Sequence, residues 1–146
     1  MFLTGAAAGA IAGAIMLFVA HLAPYLSAGN FVRDLDKPKL FGRAVTHREA
    51  HLLGVLMHVL LSALFGGVFA LLVSYGVFAQ VDFWRVAVWS LVMTVFMGGV
   101  VLPLEGHGMF GVKEDAWFPV DLLLSNLFWA VLFWGIFRMW QTITIF

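Results

Sequence analysis

Five histidines carry most of the chemistry this chain can offer: His21, His47, His51, His58 and His107. Imidazoles, together with carboxylates, are ligands for Zn, Cu, Fe or Mn, and imidazole exchanges protons near neutral pH. His47, His51 and His58 are spaced by four and then seven residues. At about 100° per residue they share about 40° of one helix face, and Ser62 follows at about 60°. Carboxylates stand close in sequence to the same end of the chain's spans: Glu105, two residues before His107, and Asp121, one turn before Ser125. The candidate cofactor ligands are therefore His21, His51 and His58. The candidate metal ligands are His51, His58, Glu105, His107 and Asp121.

The ligand pattern leaves the cofactor open. Histidines from two facing helices are the usual axial pair for haem b, and a transition metal takes the same donors. His47-Arg48-Glu49-Ala50-His51 has the internal order of neither a His-Glu-x-x-His nor a Glu-x-x-His motif. With no cysteine in the chain, thiolate sites, disulfides and cysteine nucleophiles are excluded. Proton passage is a third use of a His/Asp stripe. The ordinary alternative is that His47, His51 and His107 sit in water at a membrane surface. His58 lies about 10 Å into its helix, by the 1.5 Å rise, where an unpaired polar group is costly.

These residues are positioned by an apolar framework. Hydrophobic residues make up 63% of 146 and charged residues 11%, and mean hydropathy is +1.01. Soluble domains are nearer half apolar and a quarter charged, so a water-soluble globule is excluded. Net charge is zero, which leaves no basic field for nucleic acid. Four apolar runs approach or exceed the roughly 20 residues that cross hydrocarbon as a helix. The expected helices cover about 2–26, 49–78, 84–104 and 117–140. The runs do not alternate, so a β-barrel is excluded. The first run lacks a charged leading segment and a small-x-small cleavage site, so it reads as a retained helix. The expected fold is an all-α integral membrane four-helix bundle, one domain over 1–146, with both termini on one side.

Call the terminal side A and the other side B. Side B carries Arg33, Lys37, Lys39, Arg43, Arg48 and Lys113, against Arg85 and Arg138 on side A. The positive-inside rule makes side B cytoplasmic and the termini external. All five histidines fall at or near side B. The loop from Ser27 to Thr46, dotted with Phe31, Val32, Leu35, Leu40 and Phe41, reads as a segment lying on headgroups. Trp84, Trp89, Trp117 and Trp140 fall near span ends and read as an interfacial belt. The Pro103-Leu104-Glu105-Gly106-His107-Gly108-Met109-Phe110-Gly111 loop is expected to turn tightly and present Glu105 and His107 to the helix-two stripe. Asp121 is expected to pair with His51, His107 or Lys113.

The second half echoes the first. Leu64-Phe65-Gly66-Gly67-Val68-Phe69 matches Leu132-Phe133-Trp134-Gly135-Ile136-Phe137 at four of six positions, and His58 then falls on Asn126. Two repeated helical hairpins are the expectation. Gly5, Gly9 and Gly13 recur every fourth residue, baring one helix side for close approach by another helix of the bundle, or by another subunit.

In these features the chain resembles the YagU-like small bacterial inner-membrane proteins. The resemblance rests on the Gly5/Gly9/Gly13 start, on His58 within Leu56-Met57-His58-Val59 ahead of Leu64-Phe65-Gly66-Gly67, and on the Pro103–Gly111 loop followed by Trp117. It implies a four-helix architecture in a bacterial inner membrane. That family often carries a second histidine early in the fourth helix, a place held here by Asn126, so a paired-histidine site is not carried over.

No nucleophile–base set and no nucleotide motif is present, so an enzyme acting alone is not expected. The leading expectation is an accessory subunit of a larger membrane complex, in contact with lipid and with other subunits or a second copy. It would carry a His-lined metal or haem site near one membrane face. The alternatives are a stand-alone haem- or metal-binding protein that moves electrons or handles metal, and a small oligomeric channel or ion carrier.

Overall fold

A computed structural model of the protein describes residues 1–22, 39–40, 43–44 and 46–143, with Leu22, Lys39, Leu40, Arg43, Ala44, His47, Ala50 and Ile143 described by their backbone alone. The segment expected on the headgroups lies outside the described residues, except for Thr46 and two short antiparallel strands, β1 (Lys39–Leu40) and β2 (Arg43–Ala44).

The helices are α1 (Phe2–Leu22), α2 (His47–Ser74), α3 (Phe83–Phe96), α4 (Leu102–Glu105) and α5 (Phe118–Ile143). A π-helical turn, Met97–Val101, joins α3 to α4 in one rod from Phe83 to Glu105. The turn has a local cause. Pro103 has no N–H to give and its ring crowds the preceding turn, and the wider winding relieves that crowding. The four resulting rods are each long and apolar enough to cross a bilayer.

Caps set the ends more sharply than hydropathy does. Thr46 opens α2 two residues before the expected start, through a capping box. Its Oγ1 accepts the Glu49 N–H at 3.3 Å, and Glu49 Oε2 accepts the Thr46 N–H at 2.9 Å. Gly76, at φ +74°, closes α2 four residues before its expected end. Asp82 opens α3 by accepting the Arg85 N–H at 2.8 Å.

The closest packing is α1 against α2, running antiparallel. A methyl group at Gly5 would meet the Gly66 carbonyl and stand 2.5 Å from Ala70 Cβ. One at Gly9 would strike the Ser62 carbonyl oxygen, and one at Gly13 would lie 2.6 Å from Ser62 Oγ. The glycine seam is thus filled within the bundle, backbone against backbone. On α1 the fully buried Ala8 and Ala12 join the core that α5 lines, and α5 packs on α1 and α3. The tight pairs are therefore α1/α2 and α3/α5, one within each expected hairpin.

Aromatic rings fill the centre of the core. Phe69 meets Phe133 edge-on at 5.7 Å, and Trp129 stacks on Phe133 at 4.8 Å. Trp89 departs from the expected belt. It is only 9% exposed, and its indole N–H donates across to the Phe65 carbonyl at 3.1 Å. Its position along α3 suits an interface, but its face points inward. Trp84 and Trp117 are exposed, as a belt requires.

Candidate functional site

The seam between α1 and α2 brings two histidines together at side B. His21, in the last turn of α1, meets His51, in the second turn of α2, with ring centroids 5.3 Å apart and planes at 79°. Both are exposed. His21 Nδ1 lies 2.7 Å from the Leu17 carbonyl oxygen. A carbonyl only accepts, so that contact assigns the proton to Nδ1 and leaves the lone pair on Nε2. Metal-ligating histidines are commonly oriented in this way, by a carbonyl behind the ring. The sequence spacing anticipated the level: His21 sits beside His51.

His58 lies two turns deeper on the same face of α2. Its ring edge packs against Gly13 of α1, whose backbone is its polar neighbour. Nε2 is nevertheless buried with no partner at hydrogen-bond distance. The corresponding contact in the second hairpin is satisfied. Asn126 Nδ2 donates to Thr94 Oγ1 at 3.0 Å, and Thr94 in turn donates to the Ser90 carbonyl at 2.9 Å. Trp129 Nε1 is the other buried side-chain donor without a partner among the described residues.

The third loop differs from its expected arrangement. Gly106, Gly108 and Gly111 take φ of +91°, +77° and +75°, and Phe110 takes +52°. These left-handed residues fold the loop onto itself, and the Phe110 ring lies where Gly98 of the π-turn has no side chain. His107 is therefore 5% exposed and turned into its own loop rather than toward the α2 stripe. Its Nδ1 lies 2.9 Å from Glu114 Oε1, and its Nε2 lies 3.8 Å from Glu105 Oε2. Glu114, seven residues on, became a partner through turns that residue spacing does not encode.

Asp121 is exposed and pairs with none of His51, His107 and Lys113. It stands roughly 140° around α5 from the inward-facing Asn126. Among the described residues, no group of three or more His, Asp or Glu side chains is placed to hold a metal ion. The five candidate metal ligands thus fall into separate places: His51 with His21, His58 in the seam, Glu105 with His107, and Asp121 outside. Haem b does not fit the His21–His51 pair, because axial ligands stand on opposite faces of a macrocycle and these rings touch. The edge contact leaves His21 and His51 as two neighbouring imidazoles.

Several participants escaped the sequence reading. The Thr46–Glu49 box was legible as Thr-x-x-Glu ahead of an apolar run. The Thr94–Asn126 bond and the inward face of Trp129 had no comparable signal. No protein-family model matches the chain, and no curated protein and no solved structure shows significant similarity to it.

Proposed function

We propose that this chain is a small integral membrane protein that holds one divalent transition-metal ion at side B, between His21 and His51. The observation that carries this reading is the edge contact of the two rings, with the His21 tautomer set by Leu17. Zn and Cu ions take four or more donors, so two imidazoles leave positions for water or for a side chain of another protein. That incompleteness favours an accessory role, in which the ion is handed to, or shared with, a larger assembly. The glycine seam is occupied internally, so a partner would meet the outer faces or the side-B end. The six-to-two excess of Lys and Arg supports side B as the cytoplasmic face of a bacterial inner membrane. Kinship with the YagU-like proteins belongs to the same proposal.

The test is Cu²⁺ titration of the detergent-purified, chelator-stripped protein, read by electron paramagnetic resonance. The expected result is one saturable site with hyperfine splitting from two nitrogens, lost in His21→Ala and in His51→Ala. Binding that survives the double substitution would overturn the assignment, as would no saturable binding at all.

A further inference from the structure

At the opposite membrane face, where α3 begins, an open cleft of about 370 Å³ is lined by Phe78, Asp82, Trp84, Arg85 and Val88. Its back wall is fixed, because Phe78 stacks on the core residue Phe69 at 5.2 Å. Trp84 flanks it, edge-on to Phe83 at 5.5 Å and 76% exposed. The charged part is a carboxylate and a guanidinium in direct contact, Asp82 and Arg85, with side chains 30% and 35% exposed. The third span starts at Phe83, so this pair stands at headgroup level.

Three features define the chemistry that fits. The pair carries no net charge, so a lone anion or a lone cation gains little. Arg85 spends one side-chain N–H on Asp82 and keeps the rest of its fork, which suits phosphate. Asp82 uses one oxygen for the Arg85 backbone N–H and the other for the guanidinium, and each oxygen keeps a lone pair for a further donor. From the cleft onward, Val88, Val92 and Val95 are exposed and spaced by four and three along α3. They form one continuous apolar track into the hydrocarbon region.

We propose that this cleft binds the headgroup of a phospholipid bearing a primary amine. The phosphate sits on Arg85, the ammonium on Asp82, and one acyl chain lies along Val88, Val92 and Val95. A trimethylated ammonium offers no N–H to Asp82, so an ethanolamine headgroup is preferred over choline. The inference is independent of the metal site, which lies at the other end of the bundle.

The test is native mass spectrometry of protein released from bilayers with equal phosphatidylethanolamine and phosphatidylcholine of matched chains. The wild type should retain the ethanolamine lipid about tenfold over the choline lipid, as one charge-assisted hydrogen bond allows. Asp82→Asn keeps the helix cap, since Asn caps as well as Asp, and should retain both lipids equally. Arg85→Gln should lose the retained lipid altogether. Equal retention by the wild type overturns the proposal, as does an unchanged preference in Asp82→Asn with an unchanged unfolding midpoint. Displacement by chain-free glycerophosphoethanolamine at equal concentration would identify a soluble ligand instead, and would also overturn it.

Discussion

Gly9→Ala should destabilise the protein, although alanine is the better helix former. The intrinsic preference favours the variant by about 1 kcal/mol. Packing opposes it. The new methyl would strike the Ser62 carbonyl oxygen, with the carbonyl carbon at 3.0 Å and Gly66 Cα at 3.2 Å. These are backbone atoms of a helix interior, so no rotamer change relieves the clash. The helices must part by on the order of 1 Å to recover ordinary contact, which forfeits a quarter to a half of the dispersion energy along the seam. In a bilayer that packing is a main source of helix association. Overpacking of this kind costs about 1–3 kcal/mol, and a backbone obstacle places Gly9 toward the upper end. The net expectation is a loss of about 1–2 kcal/mol. Gly135 and Gly54 provide the control, because a methyl at either meets nothing within 4 Å. Gly135→Ala and Gly54→Ala should be neutral or stabilising by up to about 1 kcal/mol. Reversible unfolding by dodecyl sulfate in mixed micelles, followed by helical circular dichroism, gives the comparison. If Gly9→Ala proves as stable as Gly135→Ala, the α1/α2 seam is not packed backbone to backbone.

Three further substitutions, one of them a control at an exposed site, test the core and the third loop by the same unfolding assay. Trp89→Phe removes the hydrogen bond to the Phe65 carbonyl and should cost about 1 kcal/mol or more, whereas Trp117→Phe, at an exposed site, should stay within about 0.5 kcal/mol; equal effects would return Trp89 to the interfacial belt. Gly111→Ala must hold φ +75° and place its methyl 2.7 Å from Phe118 Cε1, so a loss of about 1–3 kcal/mol is expected, and an unchanged midpoint would mean that the loop does not fold back through Gly111.

The four spans were legible because lipid demands long uninterrupted apolar runs, and the chain has four. Their ends were off where a cap overrides hydropathy, as at Thr46–Glu49, Asp82 and Gly76. Which face points inward was much harder to read. In water, polarity marks the outer face of a helix, but in lipid both faces are apolar and the periodic signal fades. Trp89 therefore passed for a belt residue although it faces Phe65. The partner of each helix was also partly hidden. The short connection after Ser74 makes α2 and α3 neighbours, yet the closest contacts of α2 are with α1, through glycines whose spacing did carry the message. The His21–His51 level followed from counting residues along two antiparallel helices. The His107–Glu114 contact did not, because it depends on left-handed turns.

The two hairpins divide their roles at one pair of positions. In the second, Asn126 reaches Thr94, and the contact is a closed chain of hydrogen bonds that ends on the Ser90 carbonyl. In the first, His58 faces a glycine, and Nε2 has no partner. Buried polar groups are almost always satisfied, so a side chain opposite His58 would have been the stabilising choice. The backbone explains why none is present. Gly13 belongs to the seam, where a methyl would already stand 2.6 Å from Ser62 Oγ. The close approach that leaves His58 Nε2 without a partner is the same approach that brings α1 and α2 together toward side B, where His21 meets His51. The cost of the orphaned nitrogen and the placement of the two surface imidazoles thus have one physical origin in the glycine seam.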